Sequence, residues 1–157
     1  MIALRALTAD DWREWRDLRL QALREAPYAF GSTLAEWQGE GDTEARWRRR
    51  LTNVPFNAIA LLDGLPAGIV GGTQPDDDGT VELISMWVAP FARGRGVGNA
   101  LIQSVVAWAR QQRAKRVMLA VYPDNANAIG LYRRNGFVDA ALVDGEQTMT
   151  LPLGPII

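Results

Sequence analysis

Between Arg93 and Asn99 the chain reads Arg-Gly-Arg-Gly-Val-Gly-Asn, and these residue types at this spacing could bind an anion. Upstream, Val81-Glu82-Leu83-Ile84-Ser85-Met86-Trp87-Val88 has strand character and ends before Pro90. Downstream, Val97, Leu101, Ile102, Val105, Val106 and Ala109 recur at helical spacing, so the glycines fall on a strand-to-helix turn. Alternate glycines there let the backbone take φ > 0 and let a ligand approach without Cβ interference. The first N–H groups of the helix have no intrahelical partner and lie at the positive end of its dipole. Such a turn suits a phosphate or pyrophosphate. Proton carriers are few. With no histidine and no cysteine, proton transfer falls to Asp, Glu, Tyr, Lys, water or the substrate. The same absences exclude His-based zinc sites, thiolate ligands, Ser-His-Asp triads and a cysteine nucleophile, and no metal is expected.

Two common phosphate loops fail on detail. A nucleoside triphosphate loop needs Gly-x-x-x-x-Gly-Lys-Ser/Thr, and the chain contains no Lys-Ser or Lys-Thr pair. A dinucleotide fingerprint needs Gly-x-Gly-x-x-Gly early in a βαβ unit, with an acidic residue about twenty positions on. Here the third glycine comes one position early, and the basic pair Lys115-Arg116 stands where the acid belongs. The motif also lies past mid-chain, with no second α/β half after it.

A third pattern fits. The run Arg93-x-x-Gly96-x-Gly98, after a strand ending Val88-Ala89-Pro90, resembles the coenzyme A pyrophosphate loop of the GNAT family of N-acetyltransferases. Further on, the strand-like Val117-Met118-Leu119-Ala120-Val121-Tyr122 leads into Asn125-x-x-Ala128-x-x-Leu131-Tyr132-x-x-x-Gly136-Phe137, which is similar to the family's second signature. The two motifs stand in the family's order, one helix and one strand apart, which weighs more than either alone. The opening Leu4-Arg5-x-Leu7-Thr8-x-Asp10-Asp11 and the closing Met149-Thr150-Leu151 extend the resemblance over nearly the whole chain.

The resemblance implies acetyl-CoA as co-substrate and direct attack of an amine on its thioester. The pantetheine arm would pair with the backbone of Met86, Trp87 and Val88, where two parallel strands splay, and the Val88 N–H would polarise the thioester carbonyl. Arg93, Gly94, Arg95, Gly96, Val97, Gly98 and Asn99 would cradle the pyrophosphate, and Asn125 would cap its helix and reach the coenzyme. Deprotonating a lysine-like amine at pH 7 costs ~4–5 kcal/mol, against ~1 for an α-amine, so a base matters most for the former. Glu82, thirteen positions ahead of Arg95, has an offset similar to the glutamate base of the histone-acetylating branch. Parity along an unbulged strand puts it on the face of Ile84, Met86 and Val88; the alternative is a rim or salt-bridged carboxylate. Tyr132 matches the family's general acid for the departing thiolate; the alternative is a helix residue packing its ring. Ribosomal-protein N-terminal acetylation goes with a glutamate in Leu-Glu-Val, and Leu119-Ala120-Val121 departs from that pattern.

At 157 residues one domain spanning 1–157 is expected, large enough to bury a core. A net charge of −1, from 17 basic and 18 acidic residues, draws in neither nucleic acid nor anionic lipid. Arg46, Arg48, Arg49 and Arg50 are the densest basic run and read as a solvated helix face. No stretch reaches the ~20 apolar residues of a membrane span and no secretory leader is visible, so a cytoplasmic protein is the default. The expected partners are acetyl-CoA and an amine acceptor, with a homodimer left open. A non-catalytic acyl-CoA-binding or regulatory module of the same fold is the alternative function.

The elements that must position these residues can also be read. Strands are expected over Ile2–Leu7, Phe56–Leu62, Ala67–Thr73, Val81–Val88, Arg116–Tyr122, Phe137–Val143 and Thr148–Leu153, with Asp63-Gly64 as a hairpin turn. Helices are expected from a Thr8 or Asp10 cap to Ala26, over Thr33–Leu51 with an interruption at Gly39–Gly41, from the glycine turn to Gln112, and over Asn125–Asn135. Trp12, Trp15 and Trp108 read as core or groove packing; Trp37 and Trp47, with Tyr28 and Phe30, fall where an acceptor wall could form, with ordinary core as the favoured reading. This order predicts an α/β (or α+β) fold: a mixed, largely antiparallel sheet with helices on both faces and two splayed parallel strands.

Overall fold

The computed structural model describes residues 1–27 and 33–154. Tyr28 and Phe30 therefore lie outside the described residues. Among the latter the chain forms seven strands: β1 (Ile2–Ala6), β2 (Phe56–Leu62), β3 (Leu65–Gly72), β4 (Thr80–Val88), β5 (Arg116–Val121), β6 (Val138–Val143) and β7 (Glu146–Pro152). They make one sheet in the order β1-β2-β3-β4-β5-β7-β6. Every pairing is antiparallel except β4 with β5. The β2–β3 and β6–β7 hairpins close through Asp63-Gly64 and Asp144-Gly145, all four at positive φ, as two-residue turns matching the strand twist require.

Helices α1 (Trp12–Glu25) and α2 (Glu44–Asn53) cover one face, and α3 (Val97–Gln111) and α4 (Ala126–Arg134) the other. Thr8 caps a short 3-10 turn in a reciprocal box with Asp11, and α1 follows directly. Its buried residues Trp15, Leu18 and Ala22 meet Trp47 and Leu51 of α2 and Ile59, Ile69 and Trp87 of the sheet. On the other face Leu101, Ile102 and Val105 of α3 pack on Val70, Val81, Val117, Leu119 and Met149. No described helix is long and apolar enough to cross a membrane.

The interruption expected at Gly39–Gly41 is present, but the helix expected over the rest of Thr33–Leu51 is corrected. Only Glu44–Asn53 is α-helical; before it stand single turns at Ala35–Trp37 and Gly39–Gly41. Positive φ at Gly39 breaks the helix, and the Thr43 hydroxyl restarts it by accepting from the Arg46 N–H. The strand ends also move: β3 begins at Leu65, and β7 begins at Glu146, directly after its turn.

Two irregularities of β4 shape the site. Its parallel ladder with β5 covers only Thr80↔Arg116, Val81↔Val117 and Glu82↔Met118, after which the strands part. Against β3 the register slips between Ile69 and Gly71, with Ser85 at φ 58. This bulge reverses the alternation of side chains. Val81 and Leu83 share the α3 face with Met86 and Val88, while Trp87 packs with α1 and α2. The expectation that Glu82 shares a face with Met86 and Val88 is therefore corrected: it lies with Ile84 and Trp87, on the side of α1 and α2.

Candidate active site

The glycine turn is built as its sequence demands. A short turn at Pro90–Ala92 ends β4, and Gly94 and Gly96 follow at φ 77 and 88. Gly96 in the left-handed region is the N-cap of α3, so no side chain occupies the cap. A Cβ on Gly94 would meet nothing within 4 Å, which leaves its main chain open to a ligand. Gly98 serves packing instead, since a Cβ there would come 2.7 Å from Leu131 Cδ2. Arg93 is tied back to the fold, donating to the Val88 carbonyl at 3.2 Å and to Glu25 Oε2 at 2.8 Å. Glu25 also accepts from the Trp87 indole N–H at 2.9 Å. Burial works against ionised Glu25, but the hydrogen bonds from Trp87 and Arg93 outweigh it and hold the carboxyl below its ordinary value.

The turn opens into a cleft of about 1100 Å³ that runs along the gap between β4 and β5. Ala89 donates to the Ala67 carbonyl at 2.8 Å, which makes that pair a hydrogen-bonded one. Val88, one residue away, is thus in a non-hydrogen-bonded position, with its N–H directed away from β3 and into the gap. Met86, Trp87, Val88, Arg93, Gly94, Gly96, Gly98, Asn99 and Asn125 line the cleft, as do Glu82 and Tyr132. Arg95 is exposed and Val97 is buried in the α3 core; neither side chain is part of the lining. Asn125 caps α4 by accepting from the Ala128 N–H at 3.3 Å.

Tyr132 reaches the cleft from α4, its ring edge-on to Phe137 at 6.0 Å. Burial drives its pKa upward, so the phenol keeps its proton at any physiological pH. Glu82 enters from the opposite face, where burial first and the Glu146 charge second raise its pKa. Among the described residues its carboxylate has no hydrogen bond or ion pair. A desolvated carboxylate beside another carboxylate is the usual environment of a base adjusted toward neutral pH.

The arginine run departs from its reading as a solvated face. Arg50 points into the cleft, where it donates to Asn57 Oδ1 at 2.7 Å and Ser85 Oγ at 3.1 Å and lies 4.7 Å over the Trp15 ring. Arg19, buried on α1, lines the same end. Sequence reasoning missed both. The one available signal was helical phase, because Arg19 follows Leu18 and lies four positions after Trp15 on a buried stripe. Trp47 is buried and hydrogen-bonded to Asp42, Trp37 lies against it at 4.4 Å with the rings tilted by 35°, and both line the cleft.

Known proteins agree with this geometry. Residues 6–137 match the model of the Acetyltransferase (GNAT) family. An uncharacterised N-acetyltransferase of Methanocaldococcus jannaschii is 27% identical over 149 residues, covering 90% of this chain and 63% of that one. The mycothiol acetyltransferase of Clavibacter sepedonicus is 31% identical over 146 residues, covering 90% and 44%. The peptidyl-lysine N-acetyltransferase YiaC of Escherichia coli is 46% identical over 70 residues, covering 43% and 44%. The chain thus spans between 44% and 63% of the length of these relatives. The PaiA N-acetyltransferase of Thermoplasma acidophilum, solved with coenzyme A, superposes with a TM-score of 0.79 at 14% identity, covering 98% of this chain and 99% of that one. The putative acetyltransferase YncA of Salmonella typhimurium, solved with acetyl-CoA, gives 0.77 at 19% identity, covering 100% and 96%. The chain belongs to the GNAT family of acetyltransferases.

Proposed function

We propose that this protein transfers the acetyl group of acetyl-CoA to a primary amine, by direct attack of the amine on the thioester. One observation carries the reading: a positive-φ glycine turn at a helix N-terminus opens into a strand gap into which a free main-chain N–H, that of Val88, is directed. The main chain of Gly94 to Asn99 receives the pyrophosphate, and β4 from Met86 to Val88 pairs with the pantetheine arm. The Val88 N–H then donates to the thioester oxygen as negative charge develops on it. Glu82, from the α1/α2 side, takes a proton from the acceptor's ammonium directly or through a water, which frees the nitrogen lone pair for attack. Tyr132, from the α4 side, donates to the sulfur as the C–S bond breaks. Base and acid thus stand on opposite faces of the sheet, with the gap between them. The acceptors named for the relatives differ from one another, so none carries over. The test is thiol release from acetyl-CoA with a panel of amines. Amine-dependent release supports the reading. Thermal stabilisation by acetyl-CoA without release on any amine would replace it with the non-catalytic binding module.

A further inference from the structure

The acceptor end of the cleft carries two cations that the coenzyme does not explain. Arg50 and Arg19 line it together, on the α1/α2 face that also presents Glu82. Among the described residues no carboxylate pairs with Arg50, and the charge that bears on it is that of Arg19, another cation. Residues 28–32, Tyr-Ala-Phe-Gly-Ser, bring no acidic side chain to the chain between α1 and α2. Burial lowers both groups to about 10, and the Arg19 charge adds to the effect on Arg50. A guanidinium at such depth whose described partners are both neutral leaves room for an anion to offset its charge.

The position says which anion. Arg50 binds Ser85, three residues before Val88, a span of at most about 10 Å along an extended chain. Of its five N–H donors one is given to Asn57 and one to Ser85, which leaves three, one on each nitrogen, for the oxygens of a carboxylate. The Trp15 ring beneath the guanidinium fixes its plane.

We propose that the acceptor is an amine carrying a carboxylate a few bonds away, a free amino acid or a close analogue, whose carboxylate is received by Arg50 with Arg19 beside it. This rests on the acetyl-transfer reading, since it assigns the amine end to the gap below Val88.

The test uses matched sets: an α- or β-amino acid, its carboxamide, its decarboxylated amine and its aminophosphonate. The carboxylate should lead in kcat/KM by roughly 10- to 100-fold over the carboxamide and the decarboxylated amine, the usual value of a hydrogen bond to a charged group. Arg50→Gln should erase that lead while acetyl-CoA still raises the melting temperature, and Arg50→Lys, which keeps the charge, should retain part of it. Equal or faster turnover of the carboxamide or the decarboxylated amine would overturn the proposal, and so would a preference for the phosphonate. Should no amine be acetylated, the transfer reading fails and binding decides the present one. Amino acids that raise the melting temperature of the coenzyme A complex above their carboxamides, with the difference lost in Arg50→Gln, sustain it; equal shifts, or none, overturn it.

Discussion

Glu25 is the point where the glycine turn, the bulged strand and α1 are joined, and its removal has a calculable effect. In Glu25→Ala the Trp87 indole N–H, on a residue only 4% exposed, loses its acceptor. A buried donor left unmatched costs about 1–3 kcal/mol. The Arg93 ion pair adds little, because its partners are 50% and 27% exposed and such pairs contribute ~0–1 kcal/mol. The sum is about 2 kcal/mol, which in a chain of 157 residues lowers the melting temperature by roughly 4–8 °C. Glu25→Gln keeps an acceptor for the indole and should lose less than half of that. The sign with pH follows from the depressed carboxyl. A folded value below the unfolded one gives stability that is complete above the unfolded pKa, near 4.3, and is lost as pH falls through the folded one. Calorimetric melts of wild type and Glu25→Ala at pH 7 should therefore differ most, and the gap should narrow on acidification below pH 4. A variant melting within 1 °C of wild type at pH 7 would refute the reasoning, because the indole would then have found another acceptor at no cost.

Other expectations concern chemistry and acid stability. Glu82→Gln should lower kcat/KM by roughly 10²-fold near pH 7, and the loss should shrink above pH 9, where more of the amine is already neutral; a loss constant across pH assigns the carboxylate a structural role. Tyr132→Phe keeps the edge contact with Phe137 and removes only the donor, so kcat should fall about 10²- to 10⁴-fold with coenzyme affinity unchanged. Less than a tenfold loss would demote Tyr132 to packing. Asp42 is held at about 2 by the Arg16 hydrogen bond, against burial and with help from the Trp47 N–H. Its stabilisation should thus be complete above pH 4 and vanish toward pH 2, and denaturant midpoints of wild type and Asp42→Asn should converge over that window.

Local chemistry made most of the frame legible. The Asp63-Gly64 turn, the amphipathic stripe of α1 and the alternate glycines each encode a backbone state within a few residues, and these elements stand where they were expected. The parity of Glu82 failed because the β4 bulge is centred on Ser85, a residue whose type announces no positive φ. What forces it there is non-local: Gly71 opposite Ile84, and Arg50 reaching Ser85 from another element. Arg50 was misread for a related reason. Four arginines within five positions look like a solvated face, yet a helix turns 100° per residue and one member of the run faces inward. The break ahead of α2 was legible in its glycines, whereas apolar spacing alone overstated the stretch before it, which forms only single turns until the Thr43 cap starts α2.

The short β4–β5 ladder has a mechanical consequence. Among the described residues the ladder that stitches β1–β4 to β5–β7 across the sheet has three paired positions, prolonged at one end where Lys115 and Arg116 donate to the Gly79 carbonyl, while α3 rests mainly on the first block. This seam is where the molecule opens at least expense, so amides of β5 and β7 should exchange with solvent through partial opening sooner than those of β2 and β3. A ligand lying in the seam and touching both banks joins two weakly coupled cooperative units into one. It should therefore slow exchange chiefly on the β5–β7 side, by the mass-action factor 1 + [L]/Kd. On the proposed function the gap would be both the reaction chamber and an expansion joint, with the coenzyme as the piece that closes it.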